Sequence, residues 1–149
     1  MKKVTDDYIE KLESVNKKII IKDEGLKITE DALLLSKFLK KKLDNGKLKG
    51  DIAEDSGILL EIGSGQGIIS LLLSEIKTIE KIHAVEIQKK IFEYLANNIR
   101  INHLESKVIP INEDIKNMQG KYEYIVSNPP YRKIISGKLP EDETERISK

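Results

Sequence analysis

The stretch ILLEIGSGQGIISLLLSEI, residues 58–76, joins a short apolar segment to a longer one through a turn that carries three glycines. The first segment has the length of a buried strand and the last has the length of a helix, which predicts strand, turn and helix in that order. Gly63, Gly65 and Gly67 permit a tight turn and the close approach of a ligand, while the amino end of the helix supplies unpaired N–H groups. We therefore interpret the turn as a ligand-binding loop, with a purely structural turn as the alternative.

The spacing of the glycines narrows the choice of ligand. A dinucleotide fingerprint requires G-x-G-x-x-G, whereas position 68 is Ile and the pattern here is G-x-G-x-G. A Walker loop is excluded more firmly, because no Gly-Lys-Ser or Gly-Lys-Thr follows the turn. NAD is therefore disfavoured as the ligand of this loop.

On the carboxyl side of this stretch, short apolar runs continue to alternate with longer segments of helical period. KIHAVEI, KVIPI and YEYIVS have the length of buried strands, and QKKIFEYLANNIRIN has the apolar spacing of a helix. Such alternation predicts an α/β fold with βαβ units, a parallel sheet and right-handed crossovers. No further strand follows to cover the sheet edge, so we expect the sheet to be incomplete at the carboxyl end. The expected strands lie near 58–62, 82–87, 107–111 and 122–127.

The first 50 residues are expected to form a helical extension that packs on the core domain of residues 51–149. Apolar residues at positions 4, 8, 12 and 15 have helical spacing, which predicts an amphipathic helix over Val4–Val15. Ile19–Ile21 is a candidate strand. TEDALLLSKFLKKKL, residues 29–43, has a capping residue, acids in its first turn and lysines in its last, as a helix dipole favours. An Asp-Asn-Gly sequence then ends this helix.

Composition bounds the class of protein. The 149 residues suit one domain with a sizeable core, and 39% hydrophobic with 34% charged residues is typical of a soluble globular chain. No apolar run approaches the roughly 18 residues of a membrane span. The amino terminus also lacks the apolar core of a signal peptide. The expected location is therefore cytoplasmic, with no membrane partner.

Residue counts also exclude several kinds of site. The chain has no cysteine, which excludes disulfides, thiolate metal sites and thiol nucleophiles. Its two histidines, His83 and His103, do not lie with acids at metal-ligand spacing, so we expect no metal. Residues 1–50 hold 13 lysines and 9 acids. This excess indicates either an anionic partner or a lysine-rich solvated surface.

Two acids lie at the carboxyl ends of the next two predicted strands after the glycine turn. Glu86 ends the second strand, and its carboxylate can accept both hydroxyl protons of a ribose. Asp114 follows the third strand, and an acid there can accept a hydrogen bond from the exocyclic amine of an adenine. Solvated strand-end acids are the alternative for each. With the glycine loop, the acids offer backbone, ribose and adenine contacts at the carboxyl edge of a parallel sheet.

The sequence NPPY, residues 128–131, follows the last predicted strand. Each proline fixes its own backbone, and the first pushes Asn128 toward extended geometry. The result is a stiff corner that presents the Asn128 amide and the Tyr131 ring in fixed directions. A plain turn after a buried strand is the alternative interpretation.

These four motifs, in this order, resemble those of the class I S-adenosylmethionine-dependent methyltransferases: EIGSGQG the first, AVEI the second, NED the third and NPPY the fourth. The resemblance covers about residues 58–131. It implies a Rossmann-like parallel sheet of the class I methyltransferase type and S-adenosyl-L-methionine as cofactor. The cofactor-binding residues that it implies are Thr29, Asp31, Glu61, Gly63, Ser64, Gly65, Gly67, Glu86, Ile87, Asp114, Ile115 and Asn128.

NPPY is similar to the signature of methyltransferases that modify planar exocyclic or amide nitrogens. An aromatic amine is a poor nucleophile because its lone pair is delocalised into the ring. The resemblance implies that the Asn128 side-chain oxygen and the Pro129 carbonyl accept its two N–H bonds, which directs the lone pair at the methyl group. Tyr131 would stack on the base. The implied catalytic residues are Asn128, Pro129, Pro130 and Tyr131.

The segment Gly25–Leu35 resembles the region before the cofactor domain in bacterial tRNA adenine N6-methyltransferases, which modify an anticodon-loop adenosine of valine tRNA. By this resemblance the partner is RNA, specifically tRNA, and Thr29 and Asp31 lie near the methionine end of the cofactor. Simple helix capping is the alternative for both. Arg132 replaces the aromatic residue that this family usually carries after NPPY. Two other functions stay open: release-factor glutamine N5-methylation, which also uses Asn-Pro-Pro-Tyr, and a non-catalytic module that binds S-adenosylmethionine or a protein partner.

Overall fold

The structure is a computed structural model that describes residues 7–21, 27–44 and 57–129. In these residues a two-stranded hairpin and a helix precede a four-stranded sheet with its connecting helices. Short 3-10 turns lie at Glu13–Val15 and Ile115–Asn117. The strands and helices are β1 (Tyr8–Leu12), β2 (Lys17–Ile21), α1 (Glu30–Asp44), β3 (Ile58–Ile62), α2 (Ile68–Leu73), β4 (Lys81–Val85), α3 (Lys89–Ile101), β5 (Val108–Ile111) and β6 (Tyr124–Ser127).

The four strands of the central sheet run parallel, in the order β5-β4-β3-β6. The chain proceeds from β3 through β4 to β5 and then returns to the other side of β3, so the order reverses between β3 and β6. Open α/β sheets bind ligands outside the carboxyl ends of their strands, in the crevice at such a reversal. The Rossmann-like parallel sheet is confirmed, and the observed strands lie close to the bounds expected from the sequence.

Helix α1 confirms the helix expected after Thr29. The Thr29 hydroxyl accepts a hydrogen bond from the Ala32 N–H at 3.3 Å, which caps the helix. Glu30 and Asp31 lie in its first turn and lysines lie in its last, where each charge complements the helix dipole. Ala32 and Leu43 are buried in the main core, which α1, α2 and α3 form with the sheet.

Helix α2 is apolar except for the buried Ser70, and two different clusters bury it. Ile69 and Leu73 belong to the main core, whereas Leu71 and Leu72 belong to a second cluster shared with the amino-terminal hairpin. A helix that is apolar all round needs cover on every side. The hairpin supplies part of that cover with Leu12, Val15, Ile19 and Ile21.

The helix predicted over Val4–Val15 is wrong within the described residues, because residues 8–12 form strand β1, which pairs antiparallel with β2. In β1 the partly buried Tyr8 and Glu10 alternate with exposed neighbours, which is the period of a strand. The apolar spacing that favoured a helix arises because a 3-10 turn follows the strand and carries Val15 into the same cluster as Leu12.

The predicted helical extension is therefore a hairpin followed by one helix in the part that the structure describes. Its hairpin packs on α2 and α3, which lie far along the chain, and such partners leave no trace in local periodicity. The strand expected at Ile19–Ile21 is confirmed as part of β2. The start of the predicted helix, at Val4, lies outside the described residues, and the division into residues 1–50 and 51–149 stays a prediction.

Helix α1, with 15 residues, is the longest helix in the described ranges. Within those ranges no helix combines the length and the apolar composition that crossing a membrane requires. The expected cytoplasmic location stays a prediction.

Candidate functional site

The register of the sheet brings four strand ends to one edge. Ile62 pairs with both Val85 and Ser127, and Val85 pairs in turn with Ile111. The residues that directly follow these four strands are neighbours along the carboxyl edge, and each belongs to one of the four sequence motifs. In spatial order they are Asn112, Glu86, Gly63 and Asn128.

The glycine loop joins β3 to α2 through three left-handed residues, Gly63 at φ +69°, Gly65 at φ +57° and Gly67 at φ +94°. Residues with a side chain rarely adopt this conformation, which explains the glycine spacing. The Ser64 N–H donates to the Val85 carbonyl at 2.9 Å, and the Gly67 N–H donates to the Ser64 carbonyl at 2.9 Å. These bonds hold the loop against the end of β4, so the predicted strand-turn-helix unit is confirmed.

Gly67→Ala is expected to lower the free energy of unfolding by about 2 kcal/mol. A Cβ at this position would lie 2.7 Å from Leu95 Cδ1 of α3, and φ +94° strains any side chain. Gly63→Ala is the matched control, because its Cβ would meet nothing within 4 Å and only the strain at φ +69° applies. Urea unfolding of both variants measures the difference. Equal losses of stability would contradict the close contact between Gly67 and Leu95.

The Glu86 carboxylate joins the glycine loop to the start of α3. Its Oε2 accepts a hydrogen bond from the Gly65 N–H at 2.9 Å, and its Oε1 accepts one from the Gln88 N–H at 2.8 Å. The side chain is buried, with 5% of the residue exposed. A carboxylate offers about four acceptor positions, so further donors such as the hydroxyls of a ribose can still be accommodated. The structure thus brings Glu86 to the glycine loop, while its contact with a ligand stays a prediction.

Glu61 of β3 is a buried carboxyl directly behind the glycine loop. Its Oε2 accepts a hydrogen bond from the hydroxyl of Ser70 in α2. The pKa of Glu61 rises from 4.5 to about 7, chiefly because burial removes the hydration of its charge. Hydrogen bonds from Ser70 work against this shift, and the charge of Glu86 adds to it. The Glu61 carboxyl therefore retains its proton to a higher pH than an ordinary glutamate does.

The chain segments that follow β4 and β5 carry both polar and apolar groups. Asn112 donates its Nδ2 hydrogens to the Glu86 carbonyl at 2.8 Å and to the Ile87 carbonyl at 3.2 Å, which ties the two strand ends together. The Asp114 carboxylate caps the 3-10 turn that follows it. Two apolar side chains remain open nearby, because Ile87 is 50% exposed and Ile115 is 38% exposed.

The NPPY motif begins directly after β6. The Ser127 hydroxyl donates to the Ile62 carbonyl at 3.1 Å, which joins the end of β6 to the start of the glycine loop. Asn128 is partly buried and Pro129 is exposed. The geometry of the complete corner stays a prediction, because Pro130 and Tyr131 lie outside the described ranges, as does Arg132 after them.

Thr29 and Asp31 lie at the start of α1 rather than at a strand end. Helix α1 packs against α2, whose own amino end is the glycine loop. The Thr29 hydroxyl caps helix α1, which is the alternative role that the sequence allowed for this residue. A role for either residue at the methionine end of a cofactor stays a prediction.

Two buried polar residues that sequence analysis did not identify also support the loop. Ser70 holds the Glu61 carboxyl, and Asn98 of α3 donates its Nδ2 hydrogen to the Gln66 carbonyl at 2.9 Å. Both are 0% exposed. Each lies among the buried apolar residues of its helix, and a polar residue at such a position is the signal that indicates a specific partner.

The two histidines have structural surroundings. The His83 ring packs edge-on against Tyr122 with centroids 5.5 Å apart, and its Nδ1 lies 3.3 Å from the Tyr122 hydroxyl. Burial lowers the pKa of His83. His103 follows α3 in a left-handed turn at φ +54°. In the part of the chain that the structure describes, no group of three or more His, Cys, Asp or Glu side chains is placed to hold a metal ion. The expectation of no metal stays a prediction.

Comparison with known proteins identifies relatives of this chain. The family model of the methyltransferase small domain matches residues 32–140. A tRNA1(Val) (adenine(37)-N6)-methyltransferase of Flavobacteriaceae bacterium (strain 3519-10) is 30% identical over 91 residues, which are 58% of this chain and 39% of that protein. The protein of the same name from Bacteroides fragilis (strain YCH46) is 35% identical over 83 residues, 52% of this chain and 35% of that protein. The match therefore spans less than half the length of these relatives.

Solved structures share the fold. The complex of aTrm5 and tRNALeu matches with a TM-score of 0.64 and 20% identity, over 86% of this chain and 34% of that chain. M. jannaschii TYW2 in complex with AdoMet matches with a TM-score of 0.58 and 17% identity, over 79% of this chain and 48% of that chain. These likenesses show the fold, and the family match over residues 32–140 shows that the chain belongs to the methyltransferase small domain family.

Proposed function

We propose that this chain carries the cofactor site of an S-adenosyl-L-methionine-dependent N-methyltransferase that acts on the N6 amine of an adenosine in tRNA. The observation that carries the proposal is the shared edge, where Asn128 follows the partner of Ile62 and so lies beside Gly63 of the glycine loop. Group transfer needs donor and acceptor groups side by side. The relatives named tRNA1(Val) (adenine(37)-N6)-methyltransferase support the anticodon-loop adenosine of valine tRNA as the target.

The residues at this edge fit S-adenosyl-L-methionine. A Cβ on Gly63 would meet no atom within 4 Å, so a ligand can approach the backbone there. Glu86 can accept hydrogen bonds from ribose hydroxyls, and Asp114 can accept one from an adenine amine. The exposed side chains of Ile87 and Ile115 offer apolar contact for an adenine ring. When bound, this cofactor supplies an electrophilic methyl group on a sulfonium centre.

The chain's own contribution to transfer is to orient the acceptor amine. The Asn128 side-chain oxygen and the Pro129 carbonyl accept the two N–H bonds of the amine, so its nitrogen becomes pyramidal and its lone pair is released from the ring. Tyr131 stacks on the base and Pro130 stiffens the corner, by resemblance to the NPPY signature. No charged general base is needed, because the nitrogen becomes acidic once it carries the methyl group and its proton passes to water.

Calorimetry and a methyl-transfer assay on the 149-residue chain test the proposal. We expect saturable binding of S-adenosylmethionine and none of NAD, the comparison ligand. Labelled methyl should then reach a valine tRNA transcript, but not a transcript in which guanosine replaces the target adenosine. Transfer to a release-factor glutamine instead would assign the alternative substrate. A folded chain that binds no S-adenosylmethionine would contradict the proposal.

Glu86→Gln is expected to weaken the binding of S-adenosylmethionine about tenfold. A neutral amide loses charge-assisted hydrogen bonds to the ribose hydroxyls, which are worth about 1.5 kcal/mol. Glu93, an exposed acid on α3, provides the matched control, because Glu93→Gln removes the same charge away from the edge. Calorimetric titration of both variants measures the effect. An unchanged dissociation constant for Glu86→Gln would leave Glu86 with only a structural role at the Gly65 and Gln88 N–H groups.

A further inference from the structure

Asn98 of α3 and Asn102, the residue that caps the carboxyl end of α3, bind the backbone of strand β2. The Asn98 Oδ1 accepts a hydrogen bond from the Ile20 N–H at 2.7 Å, and its Nδ2 donates to the Ile20 carbonyl at 3.1 Å. Asn102 makes the same two bonds with Lys18, at 2.8 Å and 2.6 Å. Lys18 and Ile20 are alternate residues, so their backbone groups point to the same side of the strand. The two amides take the place of a neighbouring strand along the edge of β2 that does not face β1.

The two asparagines differ in their third bond. Asn98 donates to the Gln66 carbonyl of the glycine loop at 2.9 Å, whereas Asn102 donates to the Asn98 carbonyl in the last turn of α3 at 2.7 Å. The amide of Asn98 is 0% exposed, and its three bonds use both hydrogens and the oxygen. One turn earlier, Leu95 Cδ1 lies 2.7 Å from the place where a Cβ of Gly67 would stand. Gln66 and Gly67 therefore pack directly against helix α3.

We propose that Asn98 is a positioning residue for the cofactor loop, and that through it the docking of the β1–β2 hairpin is coupled to the binding of S-adenosylmethionine. The inference rests on the proposed function, because it takes the glycine loop as the cofactor site. A buried amide with every partner in place fixes the groups that it joins, since the loss of one partner leaves a buried polar atom unpaired. Undocking of β2 removes the bonds of Asn98 to Ile20 and loosens its hold on Gln66.

Coupling of this kind is reciprocal. If docking of the hairpin tightens the binding of a ligand to the loop, the ligand stabilises the docked hairpin by the same factor. Apolar packing in the cluster of Ile19, Ile21, Leu71 and Leu72 also holds the hairpin, but it has no direction, whereas the Asn98 amide binds one particular carbonyl of the loop. The effect of the Asn98 side-chain hydrogen bonds can therefore be separated from the effect of general packing.

The matched variants Asn98→Ala and Asn102→Ala separate the effect of the Asn98 hydrogen bonds from the effect of general packing. Both remove two hydrogen bonds to β2, but only Asn98→Ala releases the Gln66 carbonyl. Calorimetry with S-adenosylhomocysteine as the probe is expected to show affinity reduced about fivefold or more for Asn98→Ala, and within about twofold of wild type for Asn102→Ala. Equal affinities of the two variants would overturn the inference.

Amide hydrogen exchange on the wild-type chain gives a second readout that needs no variant. Saturating S-adenosylhomocysteine is expected to slow exchange of the Ile20 amide about fivefold beyond any change at the Ile109 amide of β5, which serves as the reference. Unchanged exchange at Ile20, in a chain that calorimetry shows to be saturated, would overturn the inference and leave the proposed function intact. A wild-type chain that fails to bind the probe would overturn the proposed function, and the coupling with it.

Discussion

Asn128→Ala is expected to slow methyl transfer about a hundredfold while leaving the affinity for S-adenosylmethionine within about twofold of wild type. Loss of one oriented hydrogen-bond group from a site of this kind costs about that factor in rate. The reason is that the amine of the acceptor base then keeps its lone pair in the ring. Single-turnover transfer to valine tRNA with saturating cofactor measures the rate, and calorimetry measures the affinity.

Two further variants sharpen the Asn128 experiment. Asn128→Asp keeps oxygen acceptors at the same position and is expected to restore part of the rate. Asn97→Ala removes an exposed amide of α3 whose Oδ1 accepts from Arg100 at 3.0 Å, away from the strand ends, and should transfer at the wild-type rate. If Asn128→Ala transferred methyl as fast as Asn97→Ala, the orienting role of Asn128 would be wrong.

Glu61 is expected to make the folded chain less stable as the pH rises from about 5 to about 7. Its pKa is about 7 in the folded chain, against an ordinary value of 4.5. Between these values the folded chain holds a proton that the unfolded chain has released, so the free energy of unfolding falls as the pH rises and becomes level above the folded pKa. The full loss is about 3 kcal/mol. Urea unfolding at pH 5, 6, 7 and 8 measures this loss as the difference in the free energy of unfolding between wild type and Glu61→Gln.

Glu61→Gln resembles the protonated carboxyl and should lack this fall, so its stability relative to wild type should rise with pH across the same window. Glu93→Gln, which removes an exposed acid, should follow the wild-type curve. A stability difference between wild type and Glu61→Gln that stays constant from pH 5 to pH 8 would show that Glu61 does not titrate in this range.

The sheet could be predicted from the sequence because its strands and helices alternate at distances of a few residues, and the right-handed crossover then fixes their arrangement. The hairpin could not. Strand β1 is short, with an exposed Ile9 on its outer face and a buried Leu12 at its end, so its period-two pattern is weak beside the helical spacing. What makes it a strand is the cover that it gives to Leu71 and Leu72, about 60 positions away.

The positions of several candidate site residues could also be predicted, while their roles stay predictions. Motifs on a parallel sheet meet at its carboxyl edge, and the register places Gly63, Glu86 and Asn128 directly after their strands, whereas Asp114 lies three residues beyond β5. Asn98 was not assigned, because its function depends on the approach of β2 and the loop from different parts of the chain. The spacing in α3 places Asn98 on the same buried face as Leu95 and Ile99, which indicates a buried partner but not which one.

The bonds between β2 and α3 join residues 78 and 84 positions apart, which has a consequence for synthesis of the chain. A ribosome that adds about 5–20 residues per second completes the hairpin several seconds before it reaches the two asparagines. A lone two-stranded hairpin is only marginally stable in water. The hairpin thus emerges before the helices that stabilise it, and until α2 and α3 follow, the nascent chain displays an apolar surface of the kind that chaperones bind.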